Sequence, residues 1–181
     1  MEKKPDKSQR TRDIAFYILI AIFAASVTGV CQIQIVPTGS MEPTIQTGSF
    51  NIQSAIPIWL GHIERGDIIL FENKEVEIHH KLIKRVIGMP GDVVTIEHGA
   101  VYINGVRLDE SEYLASDVAT TVDSGGEYIF TVPENSYFVL GDNRGVSYDS
   151  RFWANPFISR EHIYQQILLS FPVPFWRWLC A

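Results

Sequence analysis

Charge, cysteine and repetition are each scarce in a particular part of this chain. No charged side chain falls between Ile14 and Val36, and no Lys or Arg follows until Arg65. The formal charge of −6 and the pI near 5.3 argue against a nucleic-acid surface, which needs clustered Lys and Arg. Two cysteines, Cys31 and Cys180, give no disulfide framework. There is no Cys/His ligand spacing for zinc. His79-His80 is a poor chelate, because neighbours on a strand point to opposite faces. Internal repeats, low-complexity tracts and nucleotide or cofactor motifs are missing, so neither metal nor cofactor is expected. A Gly-x-Ser-x-Gly elbow, the mark of an α/β-hydrolase serine, is absent too.

What the chain does have is an uneven build. Residues 1–13 carry five basic groups (Lys3, Lys4, Lys7, Arg10, Arg12) and three acidic ones, a net of +2, which leaves −8 for the remaining 168. The 23 uncharged residues of 14–36 would span about 34 Å as a helix, against a hydrocarbon core of about 30 Å. The expectation is a single transmembrane signal-anchor helix over 14–36. By the positive-inside rule the basic 1–13 stays in the cytosol and 37–181 lies outside the membrane. A cleaved signal peptide would have a shorter apolar region of about 7–15 residues.

After Pro43 the pattern becomes short apolar bursts broken by turn residues. Strands are predicted over 49–54, 67–71, 78–87, 93–97, 100–103, 128–132, 137–140 and 166–171. Asn104-Gly105 between Val101-Tyr102-Ile103 and Val106-Arg107-Leu108 signals a type I′ hairpin, and Glu97-His98-Gly99-Ala100 a second turn. The fold class is therefore all-β: one N-terminal helix, then a compact, mostly antiparallel β domain. Residues 109–127, rich in Asp, Glu, Ser and Thr, read as a surface excursion. The aromatic stretch with Trp176 and Trp178, and Trp59-Leu60, suit either a membrane interface or the domain's own core; both readings stand at this point.

Three blocks carry the chemistry: Val36-Pro37-Thr38-Gly39-Ser40-Met41-Glu42-Pro43-Thr44-Ile45; Lys84-Arg85-Val86-Ile87-Gly88-Met89-Pro90-Gly91-Asp92; and Gly141-Asp142-Asn143-Arg144-Gly145-Val146-Ser147-Tyr148-Asp149-Ser150-Arg151. In the first, Pro37, Gly39 and Pro43 confine the backbone around one hydroxyl. Taken alone that is also an ordinary capped turn. In the second, period two puts Ile78, His80, Leu82, Lys84 and Val86 on one face. Lys84 then has mostly apolar neighbours, and burial would lower its pKa toward that of a usable base. A snorkelling surface lysine fits the same pattern.

In order and content the three blocks resemble those of the bacterial type I signal peptidases (leader peptidases), Ser-Lys dyad serine proteases. The resemblance implies Ser40 as nucleophile and Lys84 as base, and the Thr38 hydroxyl with the Ser40 N–H as oxyanion hole. It implies Ser147 as the residue that orients the lysine, with Asp142, Asp149 and Arg151 bracing the site. Arg65-Gly66-Asp67 matches a further, structural block. Related archaeal and endoplasmic-reticulum enzymes carry histidine at the position of Lys84. The implied function is cleavage of signal peptides from secretory preproteins, with small residues before the cut, by a monomer in the bacterial cytoplasmic membrane. Its partners would be preprotein and lipid bilayer. A dedicated maturation peptidase with one substrate, or a non-catalytic tethered β domain, would carry a similar sequence.

Overall fold

The computed structural model describes residues 7–27, 29–73, 81–122 and 127–172. The first element, α1 (Lys7–Val27), is followed at Gly29, with φ of 71°, by the strand β1 (Cys31–Ile35). This corrects the expected helix over 14–36. Gln32 and Gln34 alternate with Cys31, Ile33 and Ile35, and the segment pairs with β2 (Phe50–Ser54) from Cys31↔Ser54 to Ile35↔Phe50. Ladder hydrogen bonds thus take over where a helix was expected to continue. The uncharged part of α1, residues 14–27, is about 21 Å long, short of a hydrocarbon core of about 30 Å. Among the described residues no helix is long and apolar enough to cross a membrane.

A one-turn helix, α2 (Ile56–Trp59), leads to β3 (Ile68–Glu72), β4 (Lys81–Gly88), β5 (Val93–Glu97), β6 (Ala100–Ile103) and the two-residue β7 (Val106–Arg107). After the excursion come β8 (Tyr128–Thr131), β9 (Ser136–Leu140), β10 (Phe157–Ser159) and β11 (Ile163–Phe171). Seven strands form one sheet in the order β1-β2-β11-β3-β4-β9-β10, and four form a second in the order β7-β6-β5-β8. All pairings are antiparallel. The predicted strands fall on the observed ones within a few residues; β1, β7 and β10 are additions, β7 completing the hairpin expected at Asn104-Gly105. The 78–80 end of the expected third strand, with His79 and His80, lies outside the described residues, as do Trp176, Trp178 and Cys180. Both expected turns form: Asn104 and Gly105 have φ of 52° and 81°, His98 and Gly99 of 49° and 78°, so each pair takes the double left-handed geometry of type I′.

Three apolar clusters hold the domain. Ile69, Phe71, Val86, Val139 and Trp153 belong to the first, which lies on one face of the large sheet. The second joins the sheets, with Ile87, Phe138 and Leu140 of the large one meeting Val94, Ile96, Val101 and Ile103 of the small one. Gly88 makes that junction possible: a Cβ there would stand 2.6 Å from Val94 Cγ2 and 2.9 Å from Val132 Cγ2, closer than carbon atoms pack. The third, Val36, Met41, Ile45 and Ile167 with Ile68 and Ile83 against them, lies under the Ser40 turn. Trp59 and Leu60 are exposed, which excludes the core reading for Trp59.

Candidate active site

Ser40 sits in the turn that β1 enters through Val36. Its neighbour Met41 is buried in the third cluster, and Glu42 closes the turn, its N–H donating to the Gly39 carbonyl at 3.2 Å. The Glu42 carboxylate accepts from the Thr47 N–H and hydroxyl at 3.2 and 2.9 Å. Ser40 is half-buried and Thr38 exposed, so both hydroxyls are within reach of an incoming chain.

From the other side the turn is held by the third block. The Asn143 N–H donates to the Ser40 carbonyl at 3.1 Å, and Asn143 Nδ2 to the Gly39 carbonyl at 3.0 Å. A Cβ at Gly141 would fall 2.5 Å from the Ser40 carbonyl oxygen and 2.2 Å from Ser147 Oγ. Only glycine fits there, and that fit presses the Ser40 backbone and Ser147 together.

Lys84 lies in mid β4, opposite Ile69 of the first cluster. Leu82 and Val86, two residues to either side, pack in that cluster, while Ile83 and Ile87 join the other two. The period-two reading therefore holds over residues 82–87, and Lys84 is 3% exposed. Burial lowers its pKa from 10.5 to about 8; the Asp149 carboxylate opposes the shift, the Arg151 guanidinium adds to it, and Asp142 opposes it. Arg85 next to it pairs with Leu140, the residue before Gly141. Asp149 accepts from the Gly141 N–H at 3.0 Å. Both the Ser40 turn and the Lys84 strand are thus anchored to Gly141.

Around this point the buried charges are paired. Asp142 receives both Nε and Nη2 of Arg85, at 2.9 and 2.7 Å. Asp149 receives Nε and Nη2 of Arg151 at 2.8 and 3.0 Å, and Arg151 also donates to the carbonyls of Thr121, Arg144 and Ser147. Such forked, charge-assisted bonds in a dry setting brace the backbone. The expected brace residues Asp142, Asp149 and Arg151 thus occupy positions suited to support. Ser147 is buried, but its Oγ makes no hydrogen bond, so the bond to Lys84 that the resemblance implies is not formed in this structure. Sequence reasoning missed Arg85, Asn143 and Arg144. The available signal was that two adjacent cations on a strand of apolar neighbours require acids elsewhere. In the structural block, Arg65 reaches Asp92 at 3.0 Å and the Ile87 carbonyl, fixing the Met89-Pro90-Gly91-Asp92 turn, where the Met89 N–H donates to Asp92 at 2.6 Å. Among the described residues no cluster of His, Cys, Asp and Glu could hold a metal ion.

A serine in a braced turn and a buried lysine of lowered pKa, gathered on one glycine of a β domain, are the groups that a serine hydrolase with a lysine base would need. The family model described as "Signal peptidase, peptidase S26" matches residues 10–171. Among similar proteins, "Probable signal peptidase I-2" of Synechocystis sp. is 40% identical over 152 residues, covering 81% of this chain and 66% of that protein. "Signal peptidase I P" of Bacillus subtilis subsp. natto is 31% identical over 182 residues, 95% of either chain. A crystal structure of a signal peptidase I from Enterococcus faecalis V583 is 35% identical, covering 59% of this chain and 97% of that one, with a TM-score of 0.48. The chain belongs to the type I signal peptidase family, peptidase S26, a family of hydrolases.

A buried amine of lowered pKa leaves a trace in stability. Between about pH 8 and 10.5 the unfolded chain binds more protons at Lys84 than the folded one. Stability therefore rises with pH across this window, and the whole cost of the buried ammonium is present below about 8. Lys84→Met should remove this part of the slope and be no less stable than wild type at pH 7, as urea titrations at a series of pH values would measure. An unchanged slope would mean that Lys84 titrates near its ordinary value.

Proposed function

We propose that this chain is a membrane-held serine endopeptidase that removes signal peptides from exported preproteins, with Ser40 as nucleophile and Lys84 as general base. The observation that carries the reading is the burial of the one lysine that matches the family's base, on a strand tied to the same glycine as the Ser40 turn. Ser40 Oγ attacks the scissile carbonyl carbon while its proton passes to Lys84 Nζ. The Ser40 N–H and the Thr38 hydroxyl hold the oxyanion of the tetrahedral intermediate. The ammonium then protonates the leaving amine, and the acyl group stays on Ser40. Lys84, neutral again, takes a proton from the water that attacks the acyl carbon and passes it to the departing Ser40 Oγ, which frees the acid and restores the serine. Ser147, with a buried hydroxyl still unspent, orients the amine, and Asp142, Asp149 and Arg151 keep the loop in place. The apolar floor of Val36, Met41, Ile45 and Ile83 beside Ser40 suits a small apolar side chain before the cut. No cofactor is needed, and one copy of the chain carries every named group.

Ser40→Ala and Lys84→Met should each abolish cleavage of a preprotein by the detergent-solubilised chain. The double variant should be no worse, since both remove one step. The rate should rise with pH through about 8, because the base is the neutral amine. At pH 7 roughly one amine in ten is then neutral. A limb near about 6.5, abolished by His80→Ala, would overturn the lysine assignment.

Thr38→Val keeps the shape of the side chain and removes the hydroxyl. It should slow turnover roughly 10²–10³-fold with little change in substrate binding, the result of losing a donor to charge that exists only in the transition state. Equal rates for the two proteins on a natural preprotein would take Thr38 out of the mechanism.

The membrane part of the reading is supported by α1. Ile14, Phe16, Tyr17, Ile18, Leu19, Ile20, Ile22 and Phe23 are all at least 48% exposed, on every side of the helix. A helix apolar all round belongs in hydrocarbon or in a core, and Arg10 and Arg12 at its start suit the cytosolic face. α1 then dips into the bacterial cytoplasmic membrane and holds the domain at its surface. The full chain should float with phospholipid vesicles, and replacing Phe16, Leu19 and Phe23 by serine should release it to the soluble fraction. Flotation unaffected by the triple change would transfer membrane binding elsewhere, with exposed Trp59 and Leu60 the first residues to test.

A further inference from the structure

The excursion after β7 was expected to be surface, yet its Glu110 and Tyr113 side chains turn inward onto the Gly141-Asp142 loop. Its ends are tied to the β5–β6 hairpin: the Leu108 N–H donates to the Val101 carbonyl and the Thr120 N–H to that of Gly99. Between them a turn at Glu110, whose carbonyl accepts from the Tyr113 and Leu114 N–H groups, aims the Glu110 carboxylate at Arg144. Arg144 Nη2 and Nη1 donate to the two Glu110 oxygens at 2.5 and 3.3 Å, and Nη1 also reaches Thr120 Oγ1. The same guanidinium donates through Nε to the Gly141 carbonyl at 3.1 Å. On the other flank the Tyr113 ring lies 4.0 Å from the Arg85 guanidinium carbon, and Arg85 holds Asp142 through its fork. The Tyr113 hydroxyl donates to Glu110 at 3.0 Å, which joins the two flanks. Burial and the Glu110 charge push the phenol pKa well up, so it remains a donor.

Gly141 and Asp142 are therefore held on both flanks by one pair of residues from a distant segment. Position matters here more than at other loops, because the Gly141 Cα is already packed against the Ser40 carbonyl and the Ser147 hydroxyl. The Arg144 side chain is fully buried. With Glu110 gone its charge would be uncompensated, and the guanidinium would have to move, taking the Gly141 carbonyl with it. We infer that Glu110 and Tyr113 are positioning residues for the Ser40 nucleophile, acting through Arg144 and Arg85 on the Gly141-Asp142 backbone. The inference rests on the Ser40–Lys84 reading. It extends that reading to a segment that contributes no group to the chemistry.

The rival is that these contacts only hold the excursion down, in which case their loss would lower the melting temperature and leave each folded molecule fully active. The experiment uses the full chain and the variants Glu110→Gln, Glu110→Ala and Tyr113→Leu, with exposed Glu112→Ala as control. Two rates are measured below each variant's melting temperature: kcat and KM on a preprotein, and the rate at which Ser40 reacts with a small fluorophosphonate that cannot touch the excursion. Glu110→Ala and Tyr113→Leu should lower kcat roughly 10–100-fold, the effect of a misplacement of about 1 Å. KM should stay within about twofold, and the fluorophosphonate rate should fall in step with kcat. Glu110→Gln should fall between Glu110→Ala and wild type, and the control should match wild type. Wild-type Ser40 reactivity in folded Glu110→Ala, or a loss confined to KM, would overturn the inference. Should Glu110→Ala not fold, Glu110→Gln and Tyr113→Leu decide it by the same two rates. If wild type labels at Ser40 but cleaves no preprotein, the substrate assignment fails, and the clamp is still judged on labelling alone.

Discussion

The arrangement around Ser40 depends on a side chain that is not there. At Gly141 the backbone of the third block approaches the Ser40 turn so closely that a single methyl group would collide with two of its neighbours. Main chain packed on main chain cannot relax by changing rotamer, as two side chains in contact can. The distance between the block that carries Ser147 and Asp149 and the turn that carries Ser40 is thus set by van der Waals contact. Hydrogen bonds from Asn143 then set the orientation.

Given that contact, the electrostatics follow. A closely packed junction is expensive for any charge, and the chain meets the cost with acid–base pairs gathered on the loop after β9: Arg85 with Asp142, Arg151 with Asp149, Arg144 with Glu110. Lys84 lies among them at the net balance of two carboxylates against one guanidinium and a large desolvation cost, and desolvation wins. The environment that lowers the Lys84 pKa is the same one that supports the backbone, so the two effects cannot be separated by mutation at the braces.

Most of the β architecture was legible in the sequence because it rests on local signals. Period-two alternation marked the strands, and Asn104-Gly105 and His98-Gly99 marked turns that need positive φ. The misreading was at residues 31–35. The alternation of Gln32 and Gln34 with Cys31, Ile33 and Ile35 was present, but it was absorbed into a long uncharged run, and only the pairing with β2 shows which pattern governs. The strand at 157–159 was invisible for the opposite reason: three residues carry no period, and pairing with β9 is what makes them a strand. At the candidate site, motif and facing singled out Ser40 and Lys84 in the sequence, and the burial of Lys84 agrees with its predicted facing. Glu110, Tyr113 and Arg144 were not, because an acidic excursion and a charged turn each look solvated until tertiary structure brings them together.

The strand β1 has a further consequence for the chain's tolerance to change. It runs from the end of α1 to the Ser40 turn with its register locked to β2 over five consecutive pairs. The Gln165 amide additionally holds the Gly29 carbonyl at its start, at 2.8 Å. A strand of five residues is a stiff strut of about 17 Å. Inserting or deleting one residue in it would do more than lengthen or shorten the link. Side chains alternate, so the slip would exchange the two faces of the strand and pull Val36 out of the cluster under Ser40. Length variation between α1 and Ser40 is therefore permitted in steps of two residues, or confined to the bend at Gly29.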